Sequence, residues 1–380
     1  MITTAAIAVL ALLASVFLTL AGWGNPVAVL HLAFALGIVP LIFAAMSHFI
    51  PVLTRTGDPG RWIARLPLMA QIAGLVTVAA MDARLPRGFL HLAAAVDFVL
   101  ALVLLRWMIT RAKGCIGSPH PGWRWYGMAL LCLMLALLVV PPLSAIAELY
   151  APLRLLHLHL NTLGLVGLAA LGTLPVLLPT TLGKTDPLSA IWLRQRLMLS
   201  FISVLLVAFG AALSSQTNWS WLLSSSGGVG LLLVLISLFR QWKQSFALPV
   251  ILSKGAGVSL LAATLGLSLV LLAGLAHGAG FLPAYPSIQI WASAFLLPLV
   301  TGALSQLLPV WRWPGPTRPE HECMRQKMTA TAAWRGVFFV MAGLALLAGQ
   351  KQLAAAFVVT AMGLFLIGLI QAVCVSRSTR

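Results

Sequence analysis

Long apolar stretches recur along the whole chain, and each is about as long as one membrane crossing. The chain has 380 residues, of which 61% are hydrophobic and only 8% are charged. A helix needs about 20 apolar residues to cross a hydrocarbon core of roughly 30 Å. We expect twelve such helices, at approximately 4–22, 27–50, 63–81, 88–109, 126–147, 153–180, 193–214, 218–239, 250–277, 285–309, 329–349 and 353–375.

The apolar stretches predict helices rather than barrel strands. Only helices and closed barrels satisfy every backbone polar group in lipid, and barrel strands are shorter and alternate in polarity. The connections between the stretches are short and leave no room for a soluble domain. The predicted fold is therefore an all-α polytopic membrane protein, a single domain over residues 1–380 that is surrounded by the lipid bilayer.

Basic residues are distributed unevenly between the two ends of the predicted bundle. The net charge is +17, and alternate assignment of the loops to two sides leaves only Arg84, Arg87, Arg154 and Lys351 opposite the other Lys and Arg residues. An excess of Lys and Arg marks the cytoplasmic side, so both termini are predicted to lie in the cytoplasm of a bacterial inner membrane. This distribution explains the charge without a nucleic-acid partner. The cytoplasmic set includes Lys254 and Arg380.

The second, sixth and tenth segments share a spaced pattern of polar, small and proline residues. In each, 20 residues separate a polar residue from a proline, and a small residue stands seven positions before that proline. The polar residues recur at intervals of 128 and 130 positions. This spacing predicts three parallel four-helix repeats, at approximately 1–115, 120–245 and 250–380. The three sets are His31, Ala44 and Pro51; His159, Gly172 and Pro179; and Gln289, Gly302 and Pro309.

Five of the eight histidines are predicted to lie at one depth, near the outer ends of their helices. Histidine is costly in lipid, and neutral imidazole is a common ligand of haem iron, copper and zinc, so the layer predicts a haem or metal site. Positions i and i+2 of a helix point about 200° apart, so the two histidines of the sixth segment cannot hold one metal together. The five are His31, His91, His157, His159 and His277.

The threefold arrangement resembles the main subunit of the haem-copper oxidase superfamily and the related NnrS-type membrane proteins. The run His157-Leu-His159-Leu-Asn161-Thr-Leu-Gly164 is similar to the histidine-rich helix openings of that group. The resemblance implies one or two haem b groups, with copper as a further option. It implies His31 as an axial haem ligand opposite His157 or His159, and His91 and His277 as ligands or hydrogen-bond partners of ligands. The alternative is that these histidines are hydrogen-bonded residues at helix ends and bind no cofactor.

The arginines opposite the charge bias stand beside the histidine layer. Arg154 precedes His157 by one turn, and Arg84 and Arg87 precede His91. Guanidinium groups suit haem propionates, so these arginines are candidate cofactor-binding residues. The alternative is an ordinary interfacial arginine paired with Asp82 or Glu148.

Asp97 is the one carboxylate predicted to lie well inside a span, about 9 Å deeper than His91 by helical rise. A buried acid in lipid is a candidate proton relay or a polar anchor. Arg106 is a possible structural partner.

The chain lacks several features of the oxygen-reducing family members. The seventh segment has no histidine pair for copper, and no chain of acids for proton pumping is evident, so a proton-pumping oxidase is not expected. The prediction is a haem protein that handles electrons or a diatomic gas such as nitric oxide at the periplasmic side. It would act as an oxidoreductase or as an electron carrier, with a respiratory subunit or electron donor as its partner. The alternatives are a proton- or metal-coupled transporter without a redox cofactor and a non-catalytic partner or assembly factor of a respiratory complex.

Overall fold

A computed structural model describes residues 1–253, 255–283 and 285–378, which contain many helices and no strand. Eleven helices are long and apolar enough to cross a membrane, and a bent helix pair adds a twelfth span. The prediction of an all-α polytopic protein of about twelve spans is confirmed. Lys254 and Arg380, both assigned to the cytoplasmic side, lie outside the described residues. The helices are α1 Ile2–Ala21, α2 Pro26–Thr54, α3 Arg61–Met81, α4 Gly88–Lys113, α5 Gly122–Ala145, α6 Ala147–Thr181, α7 Ser189–Ser215, α8 Ser220–Ser245, α9 Gly255–Gly278, α10 Ser287–Arg312, α11 Pro319–Thr329, α12 Ala332–Leu347 and α13 Lys351–Ser378.

The bent pair consists of α11 and α12, which meet at an angle of 40°. α12 alone has 16 residues, and α11 is a polar helix that buries only His321, Met324 and Met328 along one face. The buried His321 stabilises the start of α11, because its Nδ1 accepts a hydrogen bond from the Arg318 N–H at 2.9 Å and its Nε2 donates to the Trp313 carbonyl at 2.9 Å. The eleventh span is thus entered through an amphipathic helix.

The three helices of the predicted repeat each contain a π-helical segment at the same place. The segments are Leu32–Ile38 in α2, Leu160–Gly167 in α6 and Trp291–Leu296 in α10, and no other π helix occurs in the described part of the chain. The first two begin directly after His31 and His159. Wide turns inside α-helices are rare and frequently lie at functional sites. Their recurrence supports the equivalence of the three helices.

Local chemistry explains the wide turns. In α2 and α10 a proline, Pro40 or Pro298, follows the π segment; proline lacks an N–H group and its ring clashes with the carbonyl four residues before it. In α6 the Asn161 amide donates to the His157 carbonyl and the Thr162 hydroxyl donates to the Leu158 carbonyl, both at 2.8 Å. These side-chain bonds compete with the backbone ladder.

The small residues of the repeat lie where neighbouring helices approach closely. A Cβ on Gly172 would stand 2.5 Å from the Cβ of Trp125 in α5, and one on Gly302 would stand 2.9 Å from the Cβ of Ser259 in α9. Ala44, at the equivalent position of α2, is fully buried. A larger side chain at Gly172 or Gly302 would therefore separate α6 from α5 or α10 from α9.

The chain divides into two compact units, Met1–Gly172 with Leu193–Ser224, and Thr173–Trp192 with Ser225–Arg380. In the first unit, the π segment of α2 packs between α1 and α3. In the second, the π segment of α10 packs between α9 and α12. Each of these two segments is therefore flanked by the span before it and the span after it, when α11 and α12 are counted as one bent span. The three repeat boundaries and the single-domain organisation stay predictions.

The composition of the serine- and glycine-rich tract 224–228 predicts an interruption of the eighth helix, as a packing or hinge element, and the structure has no interruption there. α8 runs continuously through it. The tract contributes instead to packing, because a Cβ on Gly210 of α7 would stand 2.5 Å from the Ser224 hydroxyl.

Candidate functional site

The rings of His31 and His157 lie close to each other inside the first unit, with nearly parallel planes. Their ring centroids are 6.4 Å apart and their planes are inclined by 27°. His31 ends the first α-helical part of α2, directly before the π segment, and His157 lies near the start of α6. Both side chains are partly buried. Of the five histidines in the predicted layer, the structure brings these two together.

Backbone carbonyls determine the protonation of both rings. The Nδ1 of His31 lies 2.8 Å from the Val27 carbonyl, and the Nδ1 of His157 lies 2.9 Å from the Ala136 carbonyl on α5. A carbonyl oxygen can only accept, so each Nδ1 carries the proton in the neutral ring. Each Nε2 therefore keeps its lone pair. This tautomer is the one that metal-bound histidines usually adopt.

The distance between the two rings fits a single metal ion between them. With metal–nitrogen bonds of about 2.0 Å and about 1.1 Å from nitrogen to ring centre, two imidazoles on opposite sides of one ion place their centroids roughly 6.2 Å apart. The observed 6.4 Å is close to that value and too long for rings in direct stacking contact. Haem iron, which leaves two axial positions to the protein, suits such a pair.

His159 has a different hydrogen-bond partner from His157. Its Nδ1 donates to the Leu155 carbonyl of its own helix at 2.8 Å, whereas His157 bonds across to α5. Positions i and i+2 of a helix point about 200° apart, which accounts for the different partners. His157 and not His159 stands opposite His31.

His91 and His277 are exposed. The Nε2 of His91 lies 2.7 Å from the Ser144 hydroxyl, which itself lies 3.0 Å from the Pro141 carbonyl. Because the serine proton goes to that carbonyl, His91 donates through Nε2. His277 lies in the second unit, and its Nδ1 donates to the Leu282 carbonyl at 2.9 Å.

The arginines near the layer are solvent- or lipid-facing. Arg84 forms a 2.8 Å ion pair with Asp82, one of its two anticipated acidic partners, and its side chain is 79% exposed. Arg87 precedes α4, and Arg154 lies three residues before His157; both are exposed. Arg154 shares a helix face with His157, because residues three apart on a helix are neighbours.

Asp97 is buried in α4 with 6% of its surface exposed, and its Oδ1 has no hydrogen-bond partner among the described residues. Asp186, in the loop before α7, is similarly buried. In contrast to Asp97, its carboxylate accepts bonds from the Gln241 amide, the Ser245 hydroxyl and the Leu188 N–H. The two buried acids therefore differ in how well their charges are satisfied.

No family model matches the chain, and no curated protein matches it significantly. Within the described residues, no group of three or more His, Cys, Asp or Glu side chains is arranged to hold a metal ion. The candidate site is therefore a pair of imidazoles, and its function is inferred from that geometry.

One buried charged residue was not anticipated from the sequence as a site. Arg335 was assigned only to the basic cytoplasmic set, but its side chain is fully buried in α12. The available signal was its place three residues into the apolar run Ala332–Leu347.

Proposed function

We propose that the chain is an integral membrane haem protein in which His31 and His157 would hold one haem b. The observation that carries the proposal is the ring pair itself. Its centroids lie 6.4 Å apart, and both Nδ1 atoms are bound to backbone carbonyls. Both Nε2 lone pairs are then available to iron.

The protein's contribution is to orient the two rings before iron binds. The Val27 and Ala136 carbonyls hold the Nδ1 protons, prevent ring rotation and increase the basicity of Nε2. Arg154, on the same helix face as His157, supplies a guanidinium for a propionate. A haem held by two protein ligands would supply one-electron transfer, so we propose electron transfer as the function. Handling of a diatomic gas would need an open position at the iron, which two histidine ligands would not leave.

The finer parts of the hypothesis rest on other observations. The charge asymmetry of the loops supports a bacterial inner membrane, cytoplasmic termini and a periplasmic position for the pair. The recurring π segments support a threefold repeat of the haem-copper oxidase kind. A second haem near His159, copper, and a respiratory donor or subunit as partner stay predictions from the resemblance.

Haem content tests the proposal. The full chain, purified from a haem-replete host, is expected to be red with about one haem per chain and a Soret band that shifts on reduction. His31→Ala and His157→Ala should each lose most of the haem, because one axial bond is removed. His277→Ala, which alters an exposed histidine of the second unit, should keep it. A colourless wild-type protein, or full haem content in both ligand variants, would overturn the proposal.

A proton-coupled transporter is the second candidate, favoured by the buried and unsatisfied carboxyl of Asp97. It predicts a colourless protein that moves protons or metal ions in vesicles. The assembly-factor alternative predicts co-purification with oxidase or reductase subunits.

A further inference from the structure

Arg335 is a charged side chain buried without a protein partner. It is the fourth residue of α12, and none of its surface is exposed. Its Nε, Nη1 and Nη2 atoms have no hydrogen-bond partner among the described residues. Within the described part of the chain, the guanidinium group lies over the Phe365 ring of α13, with its carbon 5.3 Å from the ring centroid.

Such a group is unfavourable unless something binds it. A guanidinium stays protonated in proteins, so it cannot relieve its burial by losing the charge. Its five N–H donors lose water when the helices pack around them. The face of the Phe365 ring attracts the cation. The ring does not replace the hydrogen bonds that water makes with the five N–H donors in the guanidinium plane.

The described acidic side chains of the second unit do not neutralise Arg335. The second unit contains only three of the seven acidic residues, Asp186, Glu320 and Glu322. Asp186 accepts bonds from its own neighbours, Glu322 lies 3.8 Å from Arg325, and Glu320 is exposed. None of these three acids neutralises Arg335, so a group from outside the described residues is the candidate partner.

The start of α12 provides a second feature that favours an anion. The N-cap residue Thr331 makes no side-chain capping bond, and a helix of 16 residues carries partial positive charge at its N-terminus. Arg335 belongs to this first turn, and side chains in general lean toward the N-terminus of their helix. The preceding segment is also rich in positive charge, at Arg312, Arg318, Arg325 and Lys327.

We propose that Arg335 and the N-terminus of α12 bind a phosphate group, either as a free ion or as the headgroup of an anionic lipid. A phosphate presents two oxygens to the guanidinium fork and retains others for helix N–H groups. The site belongs to the second unit and is independent of the His31–His157 pair.

Thermal unfolding of the purified full-length protein tests this site. Wild type is measured with increasing inorganic phosphate at constant ionic strength, and separately with added phosphatidylglycerol. Native mass spectrometry records any bound lipid. The variants are Arg335→Met, which removes the charge, Arg335→Lys, which keeps the charge without the fork, and Lys243→Gln, a control at an exposed charge of α8.

We expect the midpoint temperature of wild type and Lys243→Gln to rise with one of the two additions and then saturate. The addition that works identifies the source as free phosphate or lipid. Arg335→Met should show no rise, and Arg335→Lys should need at least tenfold more ligand. If Arg335→Met does not fold, the Arg335→Lys shift and the bound lipid mass still decide. The proposal is overturned if neither addition stabilises wild type, or if an Arg335 variant responds as wild type does.

Discussion

At the scale of single residues, the site depends on which nitrogen of each imidazole carries its proton. The sequence predicts His31 and the pair His157 and His159, because polar residues at helix ends stand out in apolar segments. It cannot choose between the two members of the pair. That choice depends on the rotation of α6 about its axis and on the Ala136 carbonyl of α5, which binds His157. Both are set by packing between helices distant in sequence.

Asp97 provides a test at this scale, because its carboxyl is buried without a partner for Oδ1 in the described structure. Asp97→Asn keeps the shape and removes the ionisable group. We expect the variant to be as stable as wild type or more stable, by up to about 1 kcal/mol, since no charged hydrogen bond is lost. Thermal or denaturant unfolding in detergent measures this.

The matched control is the same substitution at Asp186. Its carboxylate accepts bonds from Gln241 and Ser245, and an asparagine would replace these charge-assisted hydrogen bonds with weaker neutral ones. Asp186→Asn should therefore lower stability by about 2 kcal/mol. Equal losses at the two positions would show that Asp97 also has an essential partner.

At the scale of helices, sequence predicts where spans lie better than how their interiors are built. Apolar length and the 20-residue spacing to each proline predict α2, α6 and α10 within a few residues. The π segments inside them depend on Pro40, Pro298 and the Asn161 and Thr162 side chains, which alter a ladder that periodicity treats as regular. The serine- and glycine-rich tract of α8 predicts an interruption that the structure does not have. Its Ser224 packs instead against Gly210 of α7.

Close packing of the α10 π segment against α9 gives a test at this scale. A Cβ added to Gly266 would overlap the Ala294 carbonyl oxygen, a backbone atom that cannot move aside alone. Gly266→Ala is expected to lower the free energy of unfolding by about 3 kcal/mol. Gly274→Ala lies on the same helix with nothing within 4 Å of the added atom. That control should be neutral or stabilising by about 0.5 kcal/mol. Similar effects of the two substitutions would contradict the packing of α9 on the π segment.

At the scale of the whole molecule, composition alone predicts a polytopic helical membrane protein, and the structure has the expected spans. Composition could not show that α11 leads into α12 as a bent pair, because a polar amphipathic helix resembles a loop in hydropathy. It also could not separate Arg335 from the cytoplasmic arginines. A count of basic residues carries no information on burial.

The predicted orientation can be tested with cysteine labelling. Cys115 follows α4 and Cys323 lies in α11, and both are partly exposed. The charge bias of the loops predicts that both lie in the cytoplasm. A membrane-impermeant maleimide should label them in inverted vesicles and leave them unlabelled in intact cells. Asn218→Cys, in the exposed loop between α7 and α8, should show the opposite pattern. Labelling of Cys115 or Cys323 in intact cells would reverse the topology.

The spin state of the iron tests whether both His31 and His157 bind the proposed haem. Two imidazole ligands give six-coordinate low-spin ferric iron, so low-temperature electron paramagnetic resonance of the oxidised wild-type protein should show a low-spin signal. The haem that remains in His31→Ala or His157→Ala should be high-spin, and added imidazole should restore the low-spin signal. A high-spin wild-type signal, or unchanged low-spin signals in both variants, would contradict ligation by His31 and His157.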